Sequence, residues 1–462
     1  MLKFGSSGIR GVYNKDVTTE TASAVGKSLA EYLRKTSPNP LVFVGHDQRS
    51  SSPILASTIR SALLSRGCRV ANCGLCPTPA LAASVRNLGA SAGVTITASH
   101  NPPEYNGIKL HSRDGGGFSK TQEKELLECK GDDKVTSLAS EEETIDASSK
   151  LTSLILNAAP KLRRRKVVVD NAWGTSFLVT PNVLESCGMD VILLNGLARA
   201  NLYRAFKVER MSQDSAVAEW QEVARVFDLM GIVGVTGAEL GVVHDGDADR
   251  ALFVDERGGV MSGSDVVAIF AKYFLSTGKG RKVVTTVAAS SIVDSVVEKL
   301  GGEVVRTRVG DSAVSEKLRE LGSAAAFGGE PSGAYVFPDI SLCPDGPTAV
   351  ARFLEILDWA GCKPSQLIGK RKRQVMLETS VSCPNESKQQ LMNNVAAHAE
   401  QTSRAKARIS LIDGVRIDYV DSSWLLIRPS GTEPLVRITA EASQLTKAKK
   451  LLTYAQRMAE WK

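Results

Sequence analysis

The sequence predicts an α/β protein: three related α/β domains with mixed, partly parallel sheets, followed by a smaller C-terminal α+β domain. Three observations carry this. A strand–loop–helix–strand rhythm occurs three times, the order of elements changes after about residue 369, and 462 residues suit three or four domains at about 100–200 residues each. The first unit opens with the apolar run 41–44 (LVFV), passes through the polar loop HDQRSSSP into the helical stretch 54–67, and returns at CRVANCG. The second runs KVVVDNAWGT, helix LVTPNVLESCG, strand MDVILLN. The third runs KVVTTVAASS, helix IVDSVVEKLGG, strand EVVRTRVG. Each helix stops at glycine, as expected of a helix C-terminus. The remainder reads helix 387–405, a hairpin turning at Asp413-Gly414, strands SWLLIRPS and VRITAEA, and helix 446–460. The expected domains are 1–150, 151–256, 257–368 and 369–462, with the polar run SLASEEETIDASSK as a helical linker before 150.

Composition narrows the class. Hydrophobic residues make up 43% and charged residues 23%, the balance of a globular chain and not of a disordered one. No stretch approaches 18 apolar residues and the start, MLKFGSSGIRG, has no apolar signal core, so a cytoplasmic protein without membrane contact is expected. The net charge of +7 is a mild excess of 57 basic over 50 acidic residues. The single basic run, 161–166 (KLRRRK), reads as a solvated edge before a strand, so no nucleic-acid partner is expected. Eight cysteines are scattered; Cys73 and Cys76 form one CxxC without the second pair a zinc ribbon needs, which favours reduced thiols.

Four motifs could carry chemistry. Thr97-Ala98-Ser99-His100-Asn101-Pro102 follows the apolar run AGVTIT, at a strand end where α/β sheets bind ligands. Asn-Pro-Pro breaks regular structure and presents Ser99 on a loop, with no GxSxG elbow of a hydrolase around it. In Asp245-Gly246-Asp247-Ala248-Asp249-Arg250, three carboxylates at alternate positions converge if the loop curls, a donor set for a hard cation such as Mg2+. An EF-hand is excluded, because Arg250 stands where that loop needs glycine and strands flank it. Arg428-Pro429-Ser430-Gly431-Thr432-Glu433-Pro434 offers hydroxyls, glycine amides and a guanidinium to an anion, with Arg437 on the next strand. Gly328-Gly329-Glu330-Pro331-Ser332-Gly333 can bond vicinal sugar hydroxyls. Residues 24–28 (AVGKS) lack the first glycine of a P-loop, no GxGxxG follows a strand, and His46 and His244 read as structural.

Taken together and in order, the four motifs resemble the α-D-phosphohexomutase family, which includes phosphoglucomutase, phosphomannomutase and phosphoglucosamine mutase. The resemblance spans nearly the whole chain, from FGSSGIRG to Arg437. It implies an active site in the central cleft between the domains. Ser99 then matches the phosphoryl-carrying serine. Asp245, Asp247 and Asp249 match the Mg2+ ligands, with Ser99 completing the set. Lys109 matches a proton-transfer lysine, for which a lowered pKa is expected near Arg10 and the ion, and Arg10 and His100 match residues lining the transfer site. Glu330 and Ser332 match the sugar-hydroxyl loop, Thr307, Val309 and Gly310 a third cleft loop, and Arg250 offsets charge on the phosphoserine. Arg428, Ser430, Gly431, Thr432 and Arg437 match the grip on the non-reacting phosphate.

The implied reaction interconverts hexose 6-phosphate and hexose 1-phosphate through a phosphoserine and a hexose 1,6-bisphosphate, the latter also the activator. The form GGEPSGAYVFPD is most similar to an archaeal-type branch and favours glucosamine phosphate. A phosphomannomutase/phosphoglucomutase, a sugar-phosphate phosphatase and a non-catalytic sugar-phosphate-binding homologue stay open as alternatives, as does a homo-oligomer. Two departures stand out: Ala334 follows Gly333 where many relatives carry histidine, and residues 196–233 lack their Pro- and Gly-rich stretch.

Overall fold

In the computed structural model, residues 4–5, 8–129, 142–197, 223–369, 374–403, 407–431 and 433–460 are described. They form four sheets, one per domain. The first contains β1 (Ile9–Val12), β2 (Leu41–His46), β3 (Arg69–Leu75), β4 (Ala92–Ile96), β5 (Tyr105–His111) and β6 (Glu142–Thr144), in the order β1-β5-β4-β2-β3-β6. The second contains β7 (Lys166–Asp170), β8 (Asp190–Leu194), β9 (Leu240–His244) and β10 (Ala251–Asp255), in the order β10-β9-β7-β8. The third contains β11 (Lys282–Thr286), β12 (Glu303–Thr307), β13 (Ala325–Gly329) and β14 (Tyr335–Val336), in the order β12-β11-β13-β14.

One topology underlies all three. Taking β2–β5, β7–β10 and β11–β14 as the three sets, the first strand of each pairs in parallel with the second and third, and the fourth pairs antiparallel with the third. The connection from third to fourth strand is therefore a reversal at the carboxyl ends of the parallel strands, the edge where such sheets bind ligands. The parallel strands β4 (AGVTI) and β11 (KVVTT) are buried almost throughout, as sheets covered on both faces require. Domain 1 extends the plan with β1 and β6 at its two edges.

The first three domains share packing. One apolar cluster runs from Phe43 and Leu81 through Val167 and Phe253 to Phe270, Phe327 and Phe353. The helix Gly346–Ala360 follows the third sheet in sequence but packs against β10 and the helix Thr180–Ser186 of the second domain. Its first residue must be glycine: a Cβ there would lie 2.5 Å from the Arg250 carbonyl oxygen and 2.7 Å from His244 Nδ1.

The C-terminal sheet is wholly antiparallel. It contains β15 (Val375–Ser382), β16 (Ala407–Ser410), β17 (Val415–Tyr419), β18 (Trp424–Pro429) and β19 (Leu435–Ala442), in the order β15-β19-β18-β17-β16. Strand alternation divides β18 between two contacts. Leu425 and Ile427 join the domain's own core under the helices Lys388–Ser403 and Leu445–Glu460, while Trp424 and Leu426 meet Val287 of the third domain.

Three local expectations change. Residues 142–144 of the supposed linker form β6, and the helix begins at Ala147, capped by Asp146. Strand β15 was not anticipated, because its half-buried pattern carries no strong alternation in VMLETSVS. Arg165 of the basic run is buried and pairs with Asp358 at 2.6 Å and Glu239 at 3.4 Å, so part of that run ties two domains together. All eight cysteines are free thiols. Among the described residues, no helix is long and apolar enough to cross a membrane. Of the segment 196–233, residues 198–222 lie outside the described residues, and 223–236 form a helix.

Candidate active site

Each of the first three domains sends its third-to-fourth-strand connection to one place. Domain 1 contributes residues 97–104, domain 2 residues 245–250 and domain 3 residues 330–334.

Ser99 takes φ 51°, a left-handed conformation that costs a non-glycine residue about 1–2 kcal/mol. Its amide donates to Thr97 Oγ1 at 2.8 Å, and its hydroxyl donates to Asp245 Oδ2 at 2.7 Å across the domain boundary. His100 Nδ1 lies 3.2 Å from Ser99 Oγ. Burial, with the nearby Arg250 and Arg10 charges, holds His100 well below the usual histidine range. Arg10, opposite Gly107 in the sheet, donates to Asn101 Oδ1 at 2.8 Å.

The aspartates converge as the spacing suggests. Carboxylate oxygens of Asp245, Asp247 and Asp249 lie within 4.8 Å of one another, and all three residues are buried. Burial and mutual repulsion push Asp245 and Asp249 upward. Burial also opposes the charge on Asp247, but Lys109 outweighs it and holds that carboxyl low. Asp247 Oδ1 and Asp249 Oδ1 are buried and accept no hydrogen bond. Three hard oxygen donors, crowded and partly unsatisfied, fit a divalent cation.

Lys109 departs from expectation. Its Nζ donates to Asp247 Oδ2 at 2.7 Å and to Asp249 Oδ2 at 2.6 Å. Burial opposes the ammonium, yet the two carboxylates prevail and raise its pKa above the usual lysine value, where a lowered one was expected. Thr78 joins the same group, donating its hydroxyl to Asp247 Oδ2 at 2.6 Å.

The Asp245–Asp249 loop is stitched to the Glu330 loop. Ala251 N donates to the Gly333 oxygen at 3.0 Å, Arg250 bridges Ala334, and Gly346 N donates to the Ala248 oxygen at 3.1 Å. Arg250 Nε stands 3.9 Å from both Asp245 Oδ2 and Asp249 Oδ1. His244 is structural, bonded to the Arg250 oxygen at 2.8 Å and Thr180 Oγ1 at 3.0 Å. Glu330 is buried and accepts from Gly310 N at 3.3 Å. Burial and the charge of Asp311 push its carboxyl up to about 7. Gly310 takes φ 131°, which favours glycine; Thr307 is buried and Ser332 half-buried beside them. Val309 N donates to Asp413 Oδ2 of the C-terminal domain at 3.0 Å.

The fourth domain brings Arg428, which is close enough to Glu330 for each to feel the other's charge. Arg428 and Arg437 stand directly opposite each other on β18 and β19. Like charges in that position destabilise a sheet unless an anion offsets them. Arg437 donates to Glu433 Oε2 at 2.7 Å, and Ser430 Oγ accepts from Glu433 N at 3.2 Å. Gly431 is exposed at the tip, and Thr432 lies outside the described residues.

Several participants carried no sequence signal. Asp47 and Arg49 brace the Ser99 loop from the polar stretch HDQRSSSP, Thr78 reaches Asp247, and Asp311 contributes charge to the cleft. Lys388 donates to the carbonyl oxygens of Ser430 at 2.7 Å and Glu433 at 2.6 Å, in the loop after β18. Only the close Asp47/Arg49 pair is local enough to have been suspected.

Comparison with known proteins agrees with this layout. Residues 1–136 match the family model described as phosphoglucomutase/phosphomannomutase α/β/α domain I, residues 262–374 that of domain III, and residues 378–458 that of the C-terminal domain. A protein of Methanopyrus kandleri named "Probable phosphoglucosamine mutase" is 38% identical over 453 residues, covering 97% of this chain and 95% of its own. A Thermococcus kodakarensis protein of the same name is 39% identical over 462 residues, covering 99% and 98%. The crystal structure of a phosphoglucomutase/phosphomannomutase family protein from Burkholderia thailandensis superimposes with a TM-score of 0.84 at 26% identity, covering 99% of this chain and 97% of that one. With the repeated topology, the convergent loops and relatives matching end to end, the chain belongs to the phosphoglucomutase/phosphomannomutase family, the α-D-phosphohexomutases.

Proposed function

We propose that this protein interconverts hexose 6-phosphate and hexose 1-phosphate, with glucosamine phosphate as its preferred sugar. The observation that carries the reading is the 2.7 Å contact between Ser99 Oγ and Asp245, inside a cluster that also holds Asp247, Asp249 and Lys109. The relatives' names favour the amino sugar over mannose or glucose phosphates.

In this reading Ser99 carries a phosphoryl group and gives it to one sugar hydroxyl. The resulting bisphosphate turns over in the cleft, and its other phosphoryl group returns to Ser99. Asp245, Asp247 and Asp249, with the phosphorylated Ser99, would hold one Mg2+, which supplies charge neutralisation to phosphoryl transfer. Arg10, His100 and Arg250 line the transfer point. Lys109 accepts the hydroxyl proton, which requires its ammonium to lose the grip of Asp247 and Asp249 and deprotonate first. Glu330 and Ser332 bond sugar hydroxyls, with Thr307 and Gly310 shaping the wall beside them. Arg428, Ser430, Gly431, Thr432 and Arg437 hold the distant phosphate and so align the reacting end.

The test is phosphorus NMR of the protein with Mg2+, a trace of hexose 1,6-bisphosphate and glucosamine 6-phosphate, beside a Ser99→Ala control. A growing 1-phosphate signal, absent from the control, is expected, and faster turnover than with mannose or glucose phosphates. Free phosphate in place of the 1-phosphate would turn the reading to a phosphatase, and no turnover of any of the three sugars to a binding protein.

A further inference from the structure

The backbone of the Ser99 loop is held from beneath by one side chain. Arg49 lies on the loop after β2, and its side chain is 1% exposed. A guanidinium has five N–H groups in a rigid plane, and here all five face acceptors. Nε donates to Asp47 Oδ2 at 3.1 Å. Nη1 donates to the carbonyl oxygens of Pro102 at 2.6 Å and Tyr105 at 2.9 Å. Nη2 donates to those of Ser99 at 3.1 Å and Asn101 at 2.7 Å. Three carbonyls of the irregular segment 97–104 and that of Tyr105 at the start of β5 thus converge on a single cation.

The anchor beneath is itself fixed. Asp47 Oδ1 accepts from Ser52 Oγ at 2.6 Å and from Arg49 N at 3.0 Å. Asn106 donates to Ser51 Oγ at 2.7 Å and Ser52 Oγ at 3.0 Å, while Asp47 N ties back to Ile96 in β4. Every one of these side chains is buried.

Two facts give this clamp a purpose. Buried carbonyls without a sheet partner are costly unless something donates to them. The left-handed backbone at Ser99 persists only where its surroundings over-determine it. We propose that Arg49 is a positioning residue for phosphoryl transfer: it fixes the Ser99 backbone so that the hydroxyl meets the aspartate triad, while never touching substrate. The proposal rests on the reading of Ser99 as the phosphoryl carrier. Displacing reacting groups by about 1 Å can cost about 10²-fold in rate, so the clamp acts on turnover and not on sugar affinity.

The charge-conserving variant Arg49→Lys tests this. Lysine keeps the positive charge but loses the planar fork. Two readouts are compared with wild type: steady-state mutase kinetics and hydrogen exchange of the intact protein. The expected result is a fall in kcat of about 10²-fold with KM changed less than about threefold, and faster exchange confined to residues 97–106. Unchanged kcat, a rise in KM alone, or faster exchange throughout domain 1 would overturn the proposal. If Arg49→Lys does not fold, Asp47→Asn replaces it, since it keeps the guanidinium and loosens only its anchor; the same pattern at smaller amplitude is expected. A wild-type protein inactive on all three sugar phosphates overturns the reading of Ser99 itself, and an active wild type with an unaffected variant overturns the role of Arg49 alone.

Discussion

The loops at Ser99 and at Asp245–Asp249 occupy the same connection in two copies of one topology, yet they present opposite chemistry. Both follow a buried third strand, and both turn through a non-glycine residue in the left-handed region, Ser99 at φ 51° and Ala248 at φ 61°. The first presents a single hydroxyl, beside an imidazole. The second gathers three carboxylates against one lysine from the first domain. Topology decides where a loop tip stands, and a handful of side chains decides what it does there. The third copy extends the pattern, with Gly333 at φ 89° in the loop that carries Glu330.

The largest break in the comparison comes from swapping the special residue of the first loop. Ser99→Gly relieves the left-handed strain but removes the hydroxyl that donates to buried Asp245, so two effects of about 1 kcal/mol each are expected largely to cancel in the unfolding free energy. Mutase activity is expected to fall by about 10⁴-fold or more in the same protein, because the proposed phosphoryl carrier is gone. Denaturant melts and a coupled assay on one sample check both. A fall in activity of less than about tenfold would remove Ser99 from the chemistry.

A second break falls on the other loop. Saturating Mg2+ at about 100 times its Kd is expected to stabilise the wild type by about 2.7 kcal/mol. Asp245→Asn is expected to lose most of that increment and about 10²–10³-fold in activity. Thermal melts with and without Mg2+ measure the increment, and an unchanged one would remove Asp245 from the ligand set.

The third loop sharpens the comparison through pH. Burial and Asp311 push Glu330 up to about 7, above the usual value of 4.5. The folded state therefore holds that proton more tightly than the unfolded chain. Its contribution is fully present below about pH 4.5 and is lost as pH rises to about 7, a swing of about 3 kcal/mol. Glu330→Gln is expected to abolish this slope, so the variant gains on the wild type between pH 5 and pH 8. Equal differences in urea midpoint at the two pH values would refute it.

The smallest effect lies just behind that loop. Tyr335 is fully buried, and its hydroxyl has no hydrogen-bond partner. Tyr335→Phe is expected to add about 1 kcal/mol of stability without altering kcat, as read from urea midpoints and the mutase assay.

The three-fold rhythm and the convergence of the aspartates were legible because both are local patterns, a change of period at each glycine stop and a regular spacing of acids. What escaped depends on partners distant in sequence. Arg165 reads as one of several basic residues, and only Asp358 and Glu239 make it a buried tie. Arg49 stands in a polar loop, and its acceptors arrive from about fifty residues away. Lys109 was expected to be acidified, and the two carboxylates it meets across the domain boundary reverse the sign. Strand β15 pairs with β19, about sixty residues further on, and that edge has no signature of its own.

The apolar cluster that threads the first three domains shapes how the molecule melts. Phe43, Phe253 and Phe353 belong to one continuous interior, whereas the C-terminal sheet encloses a separate one around Val395, Ile417 and Ile438. At the junction between them Val287 packs against Trp424 and Leu426, Arg416 donates to the carbonyl oxygens of Val287 and Ala289, Ser291 donates to Glu441 at 2.7 Å, and Val309 N donates to Asp413 Oδ2 at 3.0 Å. Heat is then expected to meet two cooperative units. The loops at Ser99, Asp245–Asp249 and Glu330 are expected to rise and fall with the larger one, and the Arg428–Arg437 loop to loosen with the smaller.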